Sequence, residues 1–228
     1  MDKKIYEVSQ KILSKNDIKA KQLREFYKNK NLYVINLMSS PGSGKTALLE
    51  HFAMNKYFDF AVIEGDLETN RDKERLEKKG IVAYQITTGD ACHLEAFMIE
   101  DATKALESKG FLENIDFLFI ENVGNLVCPA SYDLGANINI VLLSTPEGDD
   151  KILKYPTMFM VADIVVITKS DIIEYFNFSM ENIRVHLAKI NPKAVLFVIN
   201  NKDKDSIKNL ADYLIYCKNH KITSKHRY

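Results

Sequence analysis

Seven short apolar runs, each closed by polar or glycine-containing residues, limit what this chain can fold into more than any other feature. They are LYVINLM (32–38), FAVIEGD (60–66), IVAYQI (81–86), FLFIEN (117–122), INIVLLS (138–144), DIVVITK (163–169) and VLFVIN (195–200). Most are continuously apolar instead of alternating, as in strands buried on both faces of a parallel sheet. Helix-period segments separate them at 44–55, 71–79, 91–109, 176–190 and 204–218. The alternation predicts an α/β fold, a doubly wound, mostly parallel seven-stranded sheet flanked by helices. Residues 1–31 read as an N-terminal helical segment, with apolar positions at Ile5, Val8, Ile12, Ile18, Leu23, Phe26 and Tyr27. Residues 32–228 then make the main domain. In such a sheet ligands bind beyond the carboxyl ends of the strands, so chemistry is expected just after each apolar run.

Composition removes several classes. Thirty-one basic residues balance 31 acidic ones, so no global field favours nucleic acid or an anionic membrane. No apolar run approaches the roughly 18 residues of a membrane span, and the charged N-terminus lacks the core of a signal peptide. Three cysteines cannot make a disulfide scaffold. A cytoplasmic protein with free thiols is expected.

The first strand runs into Ser39-Ser40-Pro41-Gly42-Ser43-Gly44-Lys45-Thr46, and a helix follows. This is the context of a Walker A phosphate loop. Gly42, Ser43 and Gly44 would turn backbone N–H groups onto phosphates at a helix N-terminus. Lys45 would reach the β- and γ-phosphates and the Thr46 hydroxyl would hold Mg²⁺. Ser39 stands where the pattern has its first glycine. The fourth strand ends Ile120-Glu121-Asn122-Val123-Gly124, the layout of a Walker B acid followed by a γ-phosphate-sensing glycine. Asp66 closes the second strand, and Asp66 and Glu121 are candidate Mg²⁺ and catalytic carboxylates. A solvated strand-end acid is the alternative reading of each.

After the sixth strand stands Thr168-Lys169-Ser170-Asp171, which matches the [NT]KxD element of guanine-nucleotide proteins. A carboxylate at Asp171 accepts from guanine N1–H and the exocyclic amine, whereas adenine offers an acceptor at N1 and no amine there. The Lys169 stem can lie along the base, and Asn201 sits where such proteins cover it.

Cys92 and His93 follow the third strand, at the expected start of a helix, and Cys128 lies just past Gly124. All leave the same sheet edge. A helix N-terminus favours a thiolate, and thiolate and imidazole bind soft metals. Two Cys and one His fall one short of a closed four-ligand site, which a symmetric dimer could complete. The other reading is that these thiols are small buried hydrophobes, and the residues alone leave both open. Cys217 shares a helical face with Leu210, Tyr213 and Leu214 and reads as core. His51, His186, His220 and His226 read as solvated.

SSPGSGKT, EGDLETNRD, TTGDACHLEA, IENVGNLVCP and VVITKSD, in this order, resemble the HypB-type hydrogenase nickel-incorporation GTPases from Leu32 to about Asn200. ACHLE and ENVGNLVCP are the most specific segments. The resemblance implies a GTPase that dimerises with GTP, binds Mg²⁺ with its nucleotide, and carries Ni²⁺ or Zn²⁺ on Cys92, His93 and Cys128. It also implies a HypA-type metallochaperone as partner and the [NiFe]-hydrogenase large subunit as client, with urease machinery in some bacteria. Residues 1–31 contain neither Cys nor His, so the cysteine-rich N-terminal nickel motif and His-rich stretch of some members are absent from them. Ser40 stands where many related dimerising proteins have a signature lysine. Switch I would lie around Asp66 to Asp72 and switch II from Gly124 to Cys128, placing one metal ligand inside a nucleotide switch. No Gln follows Gly124 to orient water, so hydrolysis is expected to be slow. A urease-accessory-type GTPase and a P-loop kinase are the rival readings. TKSD speaks against the kinase.

Overall fold

The computed structural model describes residues 3–66, 71–89 and 91–224, with side chains from Lys11 onward. Residues 67–70 of the expected switch I, Asp90, His226 and the side chains of Ile5 and Val8 lie outside the described residues. The elements are α1 (Lys3–Asn29), β1 (Tyr33–Ser39), α2 (Lys45–Asn55), β2 (Phe60–Asp66), α3 (Arg71–Glu77), β3 (Val82–Thr87), α4 (Ala96–Ser108) and β4 (Phe117–Glu121). They continue as β5 (Ile138–Ser144), α5 (Lys151–Lys154), α6 (Pro156–Met160), β6 (Ile164–Thr168), α7 (Met180–Ile190), β7 (Val195–Val198) and α8 (Lys204–Asn219).

All seven strands are parallel, in the order β3-β2-β4-β1-β5-β6-β7. β1 sits between β4 and β5, so its carboxyl end is the switch point at which connections leave in both directions. Alternation along each strand sorts side chains onto two faces. Ile35, Leu37, Val62, Phe117 and Phe119 join Leu49 and Phe52 of α2 and Leu210 and Leu214 of α8 on one face. Val34, Ile63, Leu118 and Ile120 face Leu23 and Tyr27 of α1 and Ile99 and Leu106 of α4 on the other. A third cluster extends that side under α6 and α7 through Met158, Phe159, Ile183 and Leu187. Phe119 is fully buried, and truncation to Ala there would cost about 3–5 kcal/mol. Cys217 is buried in the first cluster, as its helical spacing predicts.

Two local expectations are corrected. The helix expected at 91–109 begins only at Ala96, so Cys92 and His93 stand in the loop ahead of it. Gly89 at φ 58 and the Ala91 N to Thr88 O bond of 3.1 Å turn that segment away from helix. The short helices α5 and α6, split at Pro156, have no counterpart among the helix-period segments. Proline keeps the residue before it out of helical backbone.

Candidate functional site

The loop from β1 into α2 needs its glycines. Gly42 and Gly44 have φ of 74° and 102°, where L side chains are strained. Around this loop opens a cleft of about 480 Å³, and Lys45, Thr46, Glu64, Asp66, Glu121, Gly124, Lys169 and Asn201 line it. Lys45 is 8% exposed and its Nζ donates to Ser39 Oγ at 3.0 Å. The serine at the departure from the glycine pattern thus holds the lysine. Burial pulls the Lys45 ammonium below its ordinary range, and Glu121 opposes that pull. Gly124 closes against the loop from β4. A Cβ there would fall 2.9 Å from Pro41 N and Cα, so only glycine lets the segment lie this close.

Thr46 Oγ1 donates to Glu121 Oε1 at 2.7 Å, while Glu121 Oε2 is buried with no hydrogen-bond partner. Burial pushes the Glu121 carboxyl up, and Lys45 and Thr46 pull it back. Glu64 is its register neighbour across β2 and β4, and Glu64 Oε2 is likewise buried and unpartnered. Burial first, then the charges of Glu121, Asp66 and Asp72, push the Glu64 carboxyl up to about 8. These oxygens could hold Mg²⁺, which demands hard oxygen donors, and a cation would satisfy the two orphaned atoms. Glu64 belongs to none of the nucleotide- or metal-binding sequence motifs. Its signal was the two-residue spacing from Asp66, which puts both acids on one face of a strand.

On the far side of the cleft, Lys169 adopts the left-handed region at φ 57° and opens a 3₁₀ turn over Ser170–Tyr175. Thr168 Oγ1 donates to the phosphate-loop carbonyl of Ser43 at 2.7 Å, and Thr145 Oγ1 to Lys169 O at 2.9 Å. Glu147 adds an unanticipated brace, for its Oε1 accepts from Ser43 Oγ at 2.7 Å and Ser144 N at 2.8 Å. Asp171 is not among the lining residues. Its Oδ2 pairs with Lys202 Nζ at 2.9 Å, which holds the carboxyl below its ordinary range.

The second cluster lies at the same sheet edge. Cys92 Sγ and Cys128 Sγ share a hydrogen bond at 3.0 Å, and the ligand atoms of Cys92, His93 and Cys128 lie within 4.8 Å of one another. Cys92 is not at a helix terminus, so the thiolate-favouring argument from a helix end does not apply to it. The Cys128 thiol is pushed up, first by its hydrogen bond with Cys92 and then by burial. Asn125 joins the two loops, donating from Nδ2 to Cys92 O at 3.3 Å and accepting from Val127 N at 2.8 Å. The His93 ring stacks on Tyr132 with centroids 3.9 Å apart, and its Nε2 is 3.6 Å from Glu95 Oε1. Two sulfurs and an imidazole fit a soft or borderline divalent metal and leave a tetrahedral site one ligand short. The clusters also touch. A Cβ on Gly65 would meet the Leu94 side chain at 2.8 Å, so β2 packs directly on the residue after His93.

Residues 33–198 match the family described as CobW/HypB/UreG, nucleotide-binding domain. Over all 228 of its residues the chain is 56% identical to the hydrogenase/urease maturation factor HypB of Helicobacter hepaticus, covering 94% of that protein. The chain belongs to the HypB family. The HypB of Helicobacter pylori, solved in complex with nickel, superposes with a TM-score of 0.92 at 56% identity, covering 94% of this chain and 100% of that one. The HypB hydrogenase maturation factor of Archaeoglobus fulgidus gives 0.80 at 34% identity over 90% and 100% of the two chains. The HypB fold therefore accounts for the seven-stranded sheet, and family membership for the nucleotide-binding domain. Among the described residues no helix is long and apolar enough to cross a membrane.

Proposed function

We propose that the chain is a cytoplasmic, GTP-hydrolysing nickel carrier for [NiFe]-hydrogenase maturation, with urease as a second client. Residues 1–31 act as a helical attachment to a GTPase domain of residues 32–228. One observation carries the reading: Cys92, His93 and Cys128 converge within 4.8 Å at the sheet edge that bears the phosphate cleft. The nucleotide is held by the Gly42–Thr46 amides, Lys45, Lys169 and Asn201, with Asp171 exchanging Lys202 for guanine. Thr46, Asp66 and Glu121 hold Mg²⁺.

In hydrolysis a water oxygen bonds to the γ-phosphorus as the bond to the β–γ bridging oxygen breaks, giving GDP and inorganic phosphate. Lys45 faces the bridging oxygen, where charge develops. Asn125 follows Gly124 in place of a water-orienting Gln, and turnover is near the ~10⁻³ s⁻¹ of unassisted GTPases. That rate suits a switch. GTP brings two copies together, the paired Cys92, His93 and Cys128 sets close the metal site, and Ni²⁺ or Zn²⁺ binds there. A HypA-type metallochaperone exchanges the metal, and the hydrogenase large subunit receives it.

Because coupling between two binding sites is reciprocal, a GTP analogue should raise metal affinity by the same factor that metal raises analogue affinity. The test is titration of Ni²⁺ and Zn²⁺ with sedimentation, in GDP and in a non-hydrolysable GTP analogue, for wild type and Cys128→Ala. A roughly 5–150-fold coupling accompanied by dimer formation is expected. Equal metal affinity in both nucleotide states, or tight binding by a Cys128→Ala monomer, would refute the reading.

A further inference from the structure

Two hydrogen bonds, one buried and one partly buried, tie the N-terminal helix to the segments that flank the metal-site imidazole. Asn16 lies on α1 and is 6% exposed. Its Nδ2 donates to Asp133 O at 2.8 Å, and its Oδ1 accepts from Ala96 N at 2.8 Å. Ala96 opens α4 directly after Glu95, the carboxylate beside His93 Nε2. Asp133 directly follows Tyr132, the ring stacked on His93. One carboxamide therefore fixes both walls of the imidazole slot. Ion pairs of Arg24 with Asp133 and of Lys19 with Glu100 extend the attachment along α1.

A buried amide is costly unless its polar atoms are paired, and an apolar residue would pack this helix face more simply. Here both arms of Asn16 are used, and both end next to a residue touching His93. With Nε2 turned to Glu95, the ring presents Nδ1 towards Cys92 Sγ, 3.9 Å away. The two thiols have their own fastening in Asn125. The ligand set thus has two independent supports, one for sulfur and one for nitrogen.

We propose that Asn16 is a positioning residue for the metal ligand His93, acting through Glu95 and Tyr132, so that the N-terminal helix sets where the imidazole stands against the two thiols. The inference rests on the metal-carrier reading above. Partners that orient a ligating histidine typically contribute 10–100-fold to metal affinity.

The test uses the full chain with Ni²⁺ and with Zn²⁺ alone, measuring affinity by chelator competition and ligation by X-ray absorption. Asn16→Ala should weaken binding about tenfold and weaken the imidazole scattering while leaving sulfur scattering intact. Asn16→Ala with His93→Ala should bind no more weakly than His93→Ala alone, because the first change acts only through the second residue. Asn16→Asp keeps the acceptor for Ala96 N but sets its other oxygen against Asp133 O, so it should weaken binding at least as much as alanine. It also carries the same double-mutant comparison if the alanine variant does not fold. Nucleotide affinity of the metal-free protein should be unchanged in both Asn16 variants.

Wild-type affinity and unaltered imidazole scattering in both Asn16 variants would overturn the inference. So would losses that multiply in the double variant. Metal affinity insensitive to both Cys92→Ala and Cys128→Ala would instead overturn the metal site itself.

Discussion

Replacing Glu64 by Gln should change how folding stability depends on pH. Glu64 is 3% exposed, and burial together with Glu121 raises its carboxyl from the ordinary 4.5 to about 8. Between those values the folded chain keeps a proton that the unfolded chain has released. The folded state binds more protons there, so stability falls as pH rises through the window and levels off above about pH 8. At 1.36 kcal/mol per unit, the loss is about 3 kcal/mol by pH 7 and approaches a ceiling of about 5 kcal/mol above pH 8. Glutamine has nearly the shape of the protonated acid and cannot ionise, so the variant should lose this slope. The assay is denaturant unfolding of nucleotide-free, metal-free protein at pH 5, 6, 7 and 8. The curves of wild type and Glu64→Gln should lie close together at pH 5 and diverge steadily, with the variant more stable at pH 8. Every other titrating group is shared, so the difference reads Glu64 together with its coupling to Glu121. Parallel curves across this range would show that Glu64 ionises normally and would refute the reasoning.

Asp171→Asn should weaken GTP about 10–100-fold, the worth of hydrogen bonds to a charged acceptor, and improve xanthosine triphosphate, as competition binding would report. ATP binding as tight as GTP in the wild type would contradict the base-reading role. Lys45→Ala should lower single-turnover hydrolysis by about 10²–10³-fold, and unchanged phosphate release would remove the lysine from the reaction. Gly124→Ala places a methyl 2.9 Å from the Pro41 backbone and should destabilise the fold by about 1–3 kcal/mol while weakening nucleotide binding. Wild-type unfolding and nucleotide titrations in that variant would show that the phosphate loop yields freely.

The strands were legible because an all-parallel sheet buried on both faces writes itself as unbroken apolar runs, and β2 and β5 begin and end where those runs do. The phosphate loop was legible because its glycines and Lys45 are contiguous. Residues 91–109 carry a helical period that would put Cys92 and His93 on a helix, yet the helix starts at Ala96. The group that receives Ala96 N is Asn16, eighty residues earlier, and no local window contains that cap. Glu147 is half legible, because Ser144-Thr145-Pro146-Glu147 is a local capping box while its bond from Ser43 Oγ spans 104 residues. Glu64 differs. Its position beside Asp66 was on view, but its neighbour Glu121 becomes adjacent only through the pairing of β2 with β4.

The place of β1 in the sheet has a consequence for how the chain acquires its ligands during synthesis. The strand that carries the phosphate loop is central, and both of its neighbours, β4 and β5, are made much later. Closing such distant pairs costs chain entropy before any contact rewards it, so the centre of the sheet closes later than local pairs such as β2 with β3. A nascent chain that has released α2 and even β3 holds Gly42–Thr46 as an unsupported loop, without Glu121 or the 144–147 turn to brace it. The proposed metal ligands wait as well, because Cys92 has no Cys128 beside it until the segment after β4 has emerged. Ribosome-bound fragments ending before β4 should therefore capture neither nucleotide nor metal tightly, which spares the cell partly made chains that sequester either one.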